Sequence, residues 1–514
     1  MLSTVYTAAL SGVDGFEVTV ECNIRTQFGQ FDIIGLPDAS VKEAKERIKS
    51  ALENSGFAME ARQTVINMAP ADKKKEGSAF DLAMLVSILV NRGYIKNSID
   101  FTKICFLGEL SLSGAIRPIR GALPMAIAAA KAGKTVLFLP KENAREASVV
   151  EGLHVFGVTN VRELADVLNR DRNLEPTLFD RAVFEDNKAK CSLDFSEVKG
   201  QLAARRAVEI AVAGGHNILM IGPPGTGKSM IAKRIPGIMP PLSFEEAVES
   251  TKIHSVAGEL KENDTLLYQR PFRSPHHTVS AVALSGGGAN PSPGEISLAH
   301  NGVLFLDELP EFSKQATEVL RQPIEDKQVT VTRVAGRVTF PSSFMLVCAM
   351  NPCKCGYLGH PTKPCTCKRG DRERYLSRIS GPLLDRIDIH VEVSSLDYGL
   401  LKNSASNESS SDIRKRVTRA REFARERFAR DGLKLFCNAQ MEAAEIERYC
   451  RLDNEGDALL HRAYDTMGLS ARGHARILKV ARTIADLAGS ENILSGHIAE
   501  AIKLRTLDRD YRLL

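Results

Sequence analysis

The sequence predicts a multidomain α/β protein with an α+β N-terminal domain, a parallel-sheet core and a C-terminal helical region. The first part alternates β-like runs, such as residues 15–24 and 135–140, with helical stretches, such as residues 41–54 and 123–132. The middle part contains short apolar runs that end in glycines or acids, as buried parallel strands do. The last part, from Ile413, carries apolar residues at helical spacing.

Length and composition limit the class of protein. A chain of 514 residues is too long for one hydrophobic core, so we expect about three domains. Apolar residues make up 43% and charged residues 25%, which is ordinary for a folded globular protein. The formal net charge of +5 excludes a wholly basic nucleic-acid coat protein but allows local basic surfaces. The sequence shows no signal-peptide pattern and no membrane-length apolar window, so we expect a cytoplasmic protein with no membrane partner.

Two shifts in composition divide the chain. Residues 171–190 mix charges with little apolar periodicity, and residues 403–411 are rich in serine and asparagine. Ser411 and Asp412 are suited to cap the helix that follows. The predicted organisation is, in chain order, an N-terminal domain at 1–170, a linker at 171–190, a core at 191–400 with a four-cysteine loop at 353–367, a linker at 401–412 and a helical domain at 413–514.

A glycine-rich segment follows residues 216–221, an apolar run with the length and flanks of a buried strand. Glycines let backbone N–H groups curl around a β-phosphate, a lysine neutralises charge between phosphates, and a serine hydroxyl can bind Mg²⁺. We therefore predict a site for ATP and Mg²⁺. A chance glycine turn before a helix is the alternative, but the order of strand, loop and helix argues against it. The residues of this phosphate loop are Gly222, Pro223, Pro224, Gly225, Thr226, Gly227, Lys228 and Ser229.

A second apolar run, residues 303–306, ends in the two acids Asp307 and Glu308. Asp307 is suited to bind Mg²⁺ together with Ser229. Glu308 is suited to orient or deprotonate the water that attacks the γ-phosphate. An apolar strand that ends in Asp-Glu is common on its own, but downstream of a phosphate loop the pair indicates hydrolysis.

A third apolar run, residues 344–350, delivers Asn351 to the carboxyl edge where open α/β sheets bind ligands. The Asn351 side chain can hydrogen-bond the attacking water or the γ-phosphate. With this third part, the order of motifs resembles that of AAA+ ATPases, with Asn351 in the place of the first sensor. The resemblance implies an AAA+ fold for the core.

Residues 383–388, Leu-Leu-Asp-Arg-Ile-Asp, resemble the arginine-finger segment of one AAA+ branch, which contains magnesium-chelatase ATPase subunits and MCM helicases. The resemblance implies that Arg386 acts on the ATP of a neighbouring subunit. The protein would then be a homo-oligomer, in this superfamily usually a hexameric ring. A surface ion pair of Arg386 with Asp385 or Asp388 is the alternative.

The stretch Ser470-Ala471-Arg472-Gly473 opens a basic helix that resembles the second sensor of the same branch. In that resemblance the C-terminal helical domain is a lid, and Arg472 contacts the γ-phosphate. Arg476 lies one turn further along the helix. It is either the actual contact or part of a solvated face.

Four of the ten cysteines form two CxC pairs that are separated by nine residues. This spacing can place four thiolates around one tetrahedral Zn²⁺, so Cys353, Cys355, Cys365 and Cys367 are predicted zinc ligands. A redox pair is the alternative. Such a pair usually has CxxC spacing, and it would leave the second CxC unexplained.

Five segments together resemble the ComM/YifB family of Mg-chelatase-like AAA+ proteins, over essentially the whole chain. The resemblance implies a hexameric ATP-driven motor that takes part in DNA branch migration during natural transformation, and therefore a DNA partner. His276 and His277, in the second segment, either contact phosphate or nucleic acid or pack within a loop. The segments are the phosphate loop, residues 271–278, residues 285–288, the strand that ends at Asp307-Glu308, and residues 349–353.

A β-hairpin is the predicted DNA surface. Residues 327–333 alternate as one strand of a two-stranded ribbon does. In related motors a hairpin here faces the ring pore, so Lys327, Arg333 and Arg337 are candidates for contacts with DNA phosphates. A second basic run, residues 368–374, contains acids that partly cancel its charge. It is either a DNA contact or a solvated surface.

The N-terminal domain resembles the proteolytic domain of Lon-type proteases through residues 108–121 and 135–143. The resemblance implies a ribosomal S5 domain 2-like α+β fold. Lon-type proteases use a Ser-Lys dyad, in which the lysine is the base for the serine. Here the lysine position falls on Met125 and the serine position on Ala79, with Ser78 one residue off. We therefore expect no protease activity.

The resulting hypothesis is an ATP-hydrolysing ring motor, a branch-migration helicase in recombination, that acts on branched or single-stranded DNA. The former protease domain would serve ring assembly or DNA binding. Its basic loop, residues 73–75, is compatible with DNA binding or with simple solvation. A magnesium-chelatase-type subunit that remodels a protein partner is one alternative, although the Lon-like segment and the four-cysteine loop depart from that class. An ATP-dependent protease is the other, and the missing dyad argues against it.

Overall fold

A computed structural model of the chain describes residues 2–25, 29–58, 62–96, 98–261, 264–288, 291–333, 336–395 and 407–505. The chain divides into two compact units. The first unit comprises residues 1–185 and 244–267, and the second comprises residues 186–243 and 268–514. The segment 244–267 therefore groups with the first unit, although it lies inside the range 191–400 predicted for the core.

Strands and helices are numbered along the chain. The strands are β1 (Leu2–Ser11), β2 (Asp14–Arg25), β3 (Phe31–Ile34), β4 (Gln63–Ala69), β5 (Ile104–Phe106), β6 (Glu109–Leu110), β7 (Ile116–Arg117), β8 (Val136–Pro140), β9 (His154–Val158), β10 (Ile218–Ile221), β11 (Phe272–Arg273), β12 (Gly286–Gly287), β13 (Ser292–Pro293), β14 (Val303–Leu306), β15 (Gln328–Arg333), β16 (Gly336–Pro341), β17 (Met345–Met350) and β18 (Ile389–Glu392). The helices are α1 (Ala39–Asn54), α2 (Asp81–Asn91), α3 (Ala122–Lys131), α4 (Ala144–Ala147), α5 (Val161–Leu168), α6 (Arg181–Asn187), α7 (Leu202–Gly214), α8 (Lys228–Ile238), α9 (Phe244–Ala257), α10 (Ala281–Ser285), α11 (Glu295–Leu298), α12 (Lys314–Glu318), α13 (Arg321–Asp326), α14 (Arg369–Leu376), α15 (Gly381–Leu384), α16 (Ser410–Arg430), α17 (Ala443–Tyr449), α18 (Asn454–Met467), α19 (Ala471–Leu487) and α20 (Ser495–Lys503).

The first unit contains a seven-stranded mixed sheet in the order β3-β4-β2-β1-β5-β8-β9. Strands β1 and β2 form a long antiparallel hairpin, whereas β5 pairs in parallel with β1, β8 with β5, and β9 with β8. Helix α2 is buried from Asp81 to Val90, as expected for a helix that is apolar on all sides. The unit thus has the mixed α and β content that the sequence predicts.

The positions that correspond to the protease dyad are apolar. Met125 on α3 and Ala79 before α2 pack in the same hydrophobic cluster. The hydroxyl of Ser78 donates a hydrogen bond to the Glu109 carboxylate. Within the described residues, neither a lysine nor a histidine is hydrogen-bonded to that hydroxyl, so the Ser-Lys pair of the protease dyad is not formed at Ser78.

The basic loop 73–75 is not a uniformly solvated surface. Lys75 is fully buried, and burial lowers the pKa of its ammonium group. Lys74 pairs with Glu76 at 2.6 Å, and Lys73 lies 4.5 Å above the centre of the Phe16 ring. The expectation of an open basic loop is therefore wrong for Lys75.

The second unit contains a five-stranded sheet in the order β11-β14-β17-β10-β18, in which each strand pairs with its neighbours in parallel. Strands β10, β14 and β17 are buried along their whole length, as central strands of a parallel sheet are. Parallel strands end at one edge, so the residues that follow these three strands are neighbours there. The predicted α/β core with a parallel sheet is confirmed.

The C-terminal helices share the hydrophobic core of the second unit. Helices α16 and α19 both contact α7, and their buried faces belong to the same cluster as β10 and β17. Helix α16 begins at Ser410 rather than at residue 413. Ser409, and not Ser411, is its cap, because the Ser409 hydroxyl accepts a hydrogen bond from the N–H of Asp412 at 3.2 Å. Within the described ranges, no helix combines the length and hydropathy that a membrane span requires.

Candidate active site

The phosphate loop, Asp307 and Asn351 meet at the carboxyl edge of the parallel sheet. Strand β17 lies between β10 and β14, so the segments that follow the three strands are adjacent. They surround a cleft of about 340 Å³, which is lined by residues 224–230, Asp307, Glu308, Met350 and Asn351. The residues predicted for phosphate, Mg²⁺ and water are therefore brought together.

The backbone of the phosphate loop requires glycine at two positions. Gly225 and Gly227 have φ values of 79° and 92°, in the left-handed region that other residues rarely adopt. A Cβ atom at either position would meet nothing within 4 Å, so both glycines border open space. Helix α8 begins at Lys228 beside this space, and the free N–H groups of a helix N-terminus attract anions. The arrangement is suited to a phosphate.

Lys228 joins the phosphate loop to Asn351. Its Nζ atom donates to the carbonyl oxygens of Gly222 and Pro223 at 2.6 and 2.9 Å and to Oδ1 of Asn351 at 3.2 Å. Burial lowers the pKa of Lys228, and the Asp307 and Glu308 carboxylates oppose that change. The ammonium group thus lies inside the loop, where it can exchange carbonyl partners for phosphate oxygens.

Two side chains whose oxygen atoms could bind a metal ion lie next to each other in the cleft. The Ser229 hydroxyl donates to Oδ2 of Asp307 at 2.7 Å. The other carboxylate oxygen of Asp307 accepts from the N–H of Glu308 at 3.0 Å. A hydroxyl and a carboxylate are ligands that Mg²⁺ prefers, and Mg²⁺ fills its other positions with water and phosphate oxygens. The residues present therefore fit this ion.

Glu308 has a left-handed backbone with φ of 53°, which is uncommon for a residue other than glycine and is often found at functional sites. Its carboxylate is 54% exposed and lies 3.6 Å from Nδ1 of His277. The ring of His276 lies 4.1 Å from that of His277. His277 is therefore a neighbour of the candidate base, a contact that no spacing in the sequence indicates.

Gln201 contacts the phosphate loop but lies outside the predicted motifs. It precedes α7 in a left-handed conformation with φ of 52°. Its side-chain amide donates to the carbonyl oxygens of Thr226 at 3.1 Å and Ser394 at 2.7 Å. Gln201 thus ties the phosphate loop to the segment after β18. A glutamine after a glycine is too common in loops to reveal this role.

Arg386 is not among the described residues that line this cleft. It is only 9% exposed, donates to the carbonyl oxygen of Pro382 at 2.7 Å and pairs with Glu325 at 2.8 Å. Its acidic partner is therefore Glu325 on α13, and the surface pair with Asp385 or Asp388 is wrong. Among the described residues, the buried Nε atom of Arg386 has no hydrogen-bond partner.

The two candidate lid arginines differ in their surroundings, and neither is among the described cleft residues. Arg472 is exposed in the first turn of α19. Arg476 pairs with Asp388 at 3.2 Å and is 14% exposed. Burial would raise the pKa of Asp388, but the hydrogen bond to His216 and the charges of Arg476 and Lys479 hold it well below its usual range. Arg476 is thus engaged in a structural ion pair, while Arg472 is accessible.

The four cysteines of the predicted zinc site are clustered, with their sulfur atoms within 4.8 Å of one another. The sulfur of Cys353 lies 3.4 Å from that of Cys355 and 3.6 Å from that of Cys365, and the N–H of Cys355 donates to the sulfur of Cys367 at 3.3 Å. Four Zn–S bonds of about 2.3 Å in a tetrahedron place sulfur atoms about 3.8 Å apart. The cluster therefore fits one Zn²⁺.

Backbone groups favour the thiolate form in this cluster. Burial opposes ionisation of Cys355, but the N–H groups of Tyr357 and Thr366 and the neighbouring thiols lower its pKa to about 5. Burial raises the pKa of Cys353 to about 12. Zinc binds thiolates, so a cluster that already stabilises one of them is suited to the metal.

The predicted hairpin consists of β15 and β16, which pair antiparallel from Gln328 opposite Pro341 to Arg333 opposite Gly336. Lys327 and Arg337 are exposed. The side chain of Arg333 lies outside the described part of the structure.

The second basic run is partly neutralised by its own acids. Arg369 pairs with Glu373 at 3.1 Å, and Arg374 pairs with Asp371 at 3.1 Å. Exposed ion pairs of this kind contribute little to folding stability, but they reduce the positive electrostatic potential of the segment. This supports the interpretation of the run as a solvated surface.

Three family models match the chain. Residues 194–401 match magnesium chelatase, subunit ChlI; residues 20–143 match subunit ChlI of Mg-chelatase; and residues 407–505 match magnesium chelatase, subunit ChlI C-terminal. The N-terminal segment is thus similar to the magnesium-chelatase subunit as well. This segment therefore does not separate the chain from the magnesium-chelatase class.

Relatives match the chain from end to end. Competence protein ComM of Haemophilus influenzae is 41% identical over 514 residues, which cover 99% of this chain and 98% of the relative. The uncharacterized protein YifB of Salmonella typhimurium is 41% identical over 513 residues with the same coverage. The human mitochondrial Lon protease homolog is 32% identical over 117 residues, only 22% of this chain and 12% of that protein, so it shows a local likeness. With these full-length relatives and the three matched segments, the chain belongs to the ComM/YifB family of magnesium-chelatase-like AAA+ proteins.

Proposed function

We propose that the protein is an ATP-hydrolysing ring motor that acts on DNA and drives branch migration in recombination and natural transformation. The observation that carries this proposal is the convergence of Lys228, Ser229, Asp307, Glu308 and Asn351 on one cleft. Each of them has chemistry that a separate part of ATP hydrolysis requires.

The geometry of the cleft supports the following roles in hydrolysis. The N–H groups of the phosphate loop and Lys228 bind the β- and γ-phosphates. Ser229 and Asp307 hold Mg²⁺, which neutralises charge on the phosphate oxygens when it is bound. Glu308 accepts the proton of the attacking water, and Asn351 orients that water or the γ-phosphate.

A second subunit would complete the site. Arg386 is not part of the cleft of its own chain, and an arginine supplied by a neighbour stabilises the charge of the transition state. A closed ring, with a hexamer as the proposed form, lets every subunit give and receive one arginine. Arg472, exposed on the helical lid, is the proposed second sensor.

The DNA partner is supported by the ribbon formed by β15 and β16 and by full-length similarity to a competence protein. Lys327, Arg333 and Arg337 would contact phosphates, which gives affinity without reading bases. The N-terminal domain, with Met125 and Ala79 at the dyad positions, would act as a non-proteolytic scaffold. The four cysteines would hold a structural Zn²⁺.

A second candidate is an ATPase subunit of the magnesium-chelatase type, which remodels a protein partner. It is favoured by the three ChlI family models, which span most of the chain. Both candidates share ATP hydrolysis at the same cleft. The two candidates differ in the partner that accelerates ATP hydrolysis, which is DNA for the motor and a protein for the magnesium-chelatase type.

The test measures ATP hydrolysis by the full chain alone, with a four-way DNA junction and with casein. We expect the junction to accelerate hydrolysis and casein to remain intact. The double variant Lys327→Ala/Arg337→Ala should bind the junction more weakly and with a shallower salt dependence, because it has lost two phosphate contacts.

The control Lys49→Ala/Lys415→Ala removes two exposed charges that pair with acids elsewhere, and it should behave as the wild type does. Hydrolysis that no DNA accelerates would favour the magnesium-chelatase type, and cleaved casein would favour a protease.

A further inference from the structure

The four-cysteine loop contacts the phosphate loop at Gly356. This glycine follows Cys355 and has φ of 84°. A Cβ atom at Gly356 would lie 2.7 Å from Cδ and 3.3 Å from Cγ of Pro224, which lines the nucleotide cleft. The two loops therefore approach so closely that a side chain at Gly356 would force one of them to move.

The same stretch of chain reaches the cleft a second time at Asn351. The amide oxygen of Asn351 accepts from Lys228 at 3.2 Å, and its Cγ atom would lie 3.9 Å from a Cβ at Gly356. Cys353 and Cys355 lie between these two contacts, and their sulfur atoms are gathered with those of the second CxC pair. The cluster thus fixes the chain between two points that touch the nucleotide site.

Tyr375 on α14 supports the same stretch from the other side. It is 6% exposed, and the backbone of Asn351 lies close to its hydroxyl, where it opposes the rise in the pKa of Tyr375 that burial causes. Helix α14 begins at Arg369, shortly after Cys367. The chain is therefore held on both sides of the four-cysteine loop. The contact of Gly356 with Pro224 thus joins two segments that other contacts also hold in place.

We propose that Gly356 is a positioning residue for nucleotide binding, through which the four-cysteine loop holds Pro224 and with it the conformation of the phosphate loop. The inference rests on the proposed nucleotide function of the cleft. Ordering a loop during binding costs free energy and so weakens affinity. A loop that is already held in its binding conformation avoids this cost. Loss of the cluster should therefore weaken nucleotide binding, although the cysteines are not among the described residues that line the cleft.

The test is the dissociation constant of a fluorescent ATP analogue for the full chain and its variants. For Gly356→Ala we expect about tenfold weaker binding, because the new Cβ must displace Pro224 and with it the phosphate loop. Gly359→Ala is the matched control. Gly359 lies in the same loop with φ of 76°, but a Cβ there meets nothing within 4 Å. Gly359→Ala introduces the same backbone strain without a contact to Pro224, so nucleotide binding should stay within about twofold of the wild type.

Two further variants separate the contact from other effects. In Pro224→Ala/Gly356→Ala, the Cγ and Cδ atoms that the new Cβ would meet are absent. Gly356→Ala should therefore weaken nucleotide binding far less in the Pro224→Ala background than in the wild type. Cys365→Ser disrupts the cluster at a residue outside the described cleft, and it should weaken binding about as much as Gly356→Ala does. Zinc content is measured on every sample.

Three results would overturn the inference: equal affinity of Gly356→Ala and Gly359→Ala, additive effects in the Pro224 and Gly356 cycle, or unchanged affinity in a Cys365→Ser protein that has lost its zinc. Failure of the wild type to bind the analogue would instead overturn the proposed function of the cleft, and the inference with it.

Discussion

The hydroxyl of Ser229 donates a hydrogen bond to Oδ2 of Asp307 over 2.7 Å, and so joins the phosphate loop to the end of a neighbouring strand. Under the proposed function, the two oxygens would form one side of a Mg²⁺ shell. Ser229 lies in the first turn of α8 and Asp307 directly follows β14, so a regular element holds each of the two oxygens in place. Glu308, the next residue, lines the same cleft.

Glu308→Gln should abolish turnover while ATP still binds. Glutamine keeps the size of the side chain but cannot accept the proton of the attacking water, so we expect hydrolysis to fall by about 10²- to 10⁴-fold. Phosphate release and analogue binding measure the two effects. The control is Glu311→Gln, since Glu311 pairs with Arg378 at 2.8 Å and is not among the described cleft residues. Equal hydrolysis by Glu308→Gln and the wild type would rule out the assigned base.

Arg386→Ala should inactivate the neighbouring site rather than its own. An arginine finger is worth about 10³- to 10⁵-fold in rate, so Arg386→Ala alone should be nearly inactive. Lys228→Ala should also be inactive. Mixed together, the two variants form some interfaces that contain both Lys228 and Arg386, and we expect hydrolysis to reappear.

The control for this mixture is Glu325→Gln, which removes the acidic partner of Arg386 and keeps the arginine. It should retain hydrolysis without mixing. A mixture as inactive as its two components would show that Arg386 does not act across an interface.

The sequence predicts the centre of the site well because its parts are local. The phosphate loop, Asp307-Glu308 and Asn351 each follow a short buried strand, and parallel pairing brings the ends of such strands to one edge. The order of apolar runs is then enough to predict which residues meet. The roles assigned to these residues stay predictions until they are tested.

Contacts that cross between motifs could not be predicted in this way. His277 meets Glu308, Gln201 meets Thr226, and Gly356 meets Pro224, but each pair joins segments with no common pattern. Lys75 is buried although its neighbours suggest a basic surface, because burial depends on tertiary packing rather than on the local charge pattern.

The freshly purified protein should contain close to one zinc ion per chain. Four sulfur atoms within 4.8 Å of one another need a metal ion or several protons to offset their charge. Cys365→Ser should lose most of the zinc, whereas Cys191→Ser, at an exposed cysteine outside the cluster, should keep it. Metal analysis of the purified proteins measures both. A ratio near zero in the wild type would remove the zinc assignment.

Asp388→Asn should destabilise the second unit, with a defined pH dependence. The substitution removes the charged partner of His216 and of Arg476, which is 14% exposed, so we expect a loss of about 3 kcal/mol in the free energy of unfolding at pH 7. The pKa of Asp388 is lower in the folded than in the unfolded chain. The stabilisation that Asp388 provides is therefore fully present when the pH is well above its pKa in the unfolded chain, about 3.9. It is lost as the pH falls toward the pKa in the folded chain.

Urea unfolding followed by circular dichroism at several pH values measures this difference. The gap between wild type and Asp388→Asn should be constant from pH 7 to pH 5 and should narrow below about pH 4. A gap that does not change down to pH 3 would mean that the ion pair is not its source.

The most direct measurement follows strand exchange in a labelled four-way DNA junction over time, with ATP and Mg²⁺. The wild type should convert the junction into exchanged duplexes, omission of ATP should stop the reaction, and Lys228→Ala should leave the junction intact. A wild-type protein that hydrolyses ATP but converts no junction, forked or single-stranded DNA substrate would contradict the claim that this cleft drives a motor on DNA.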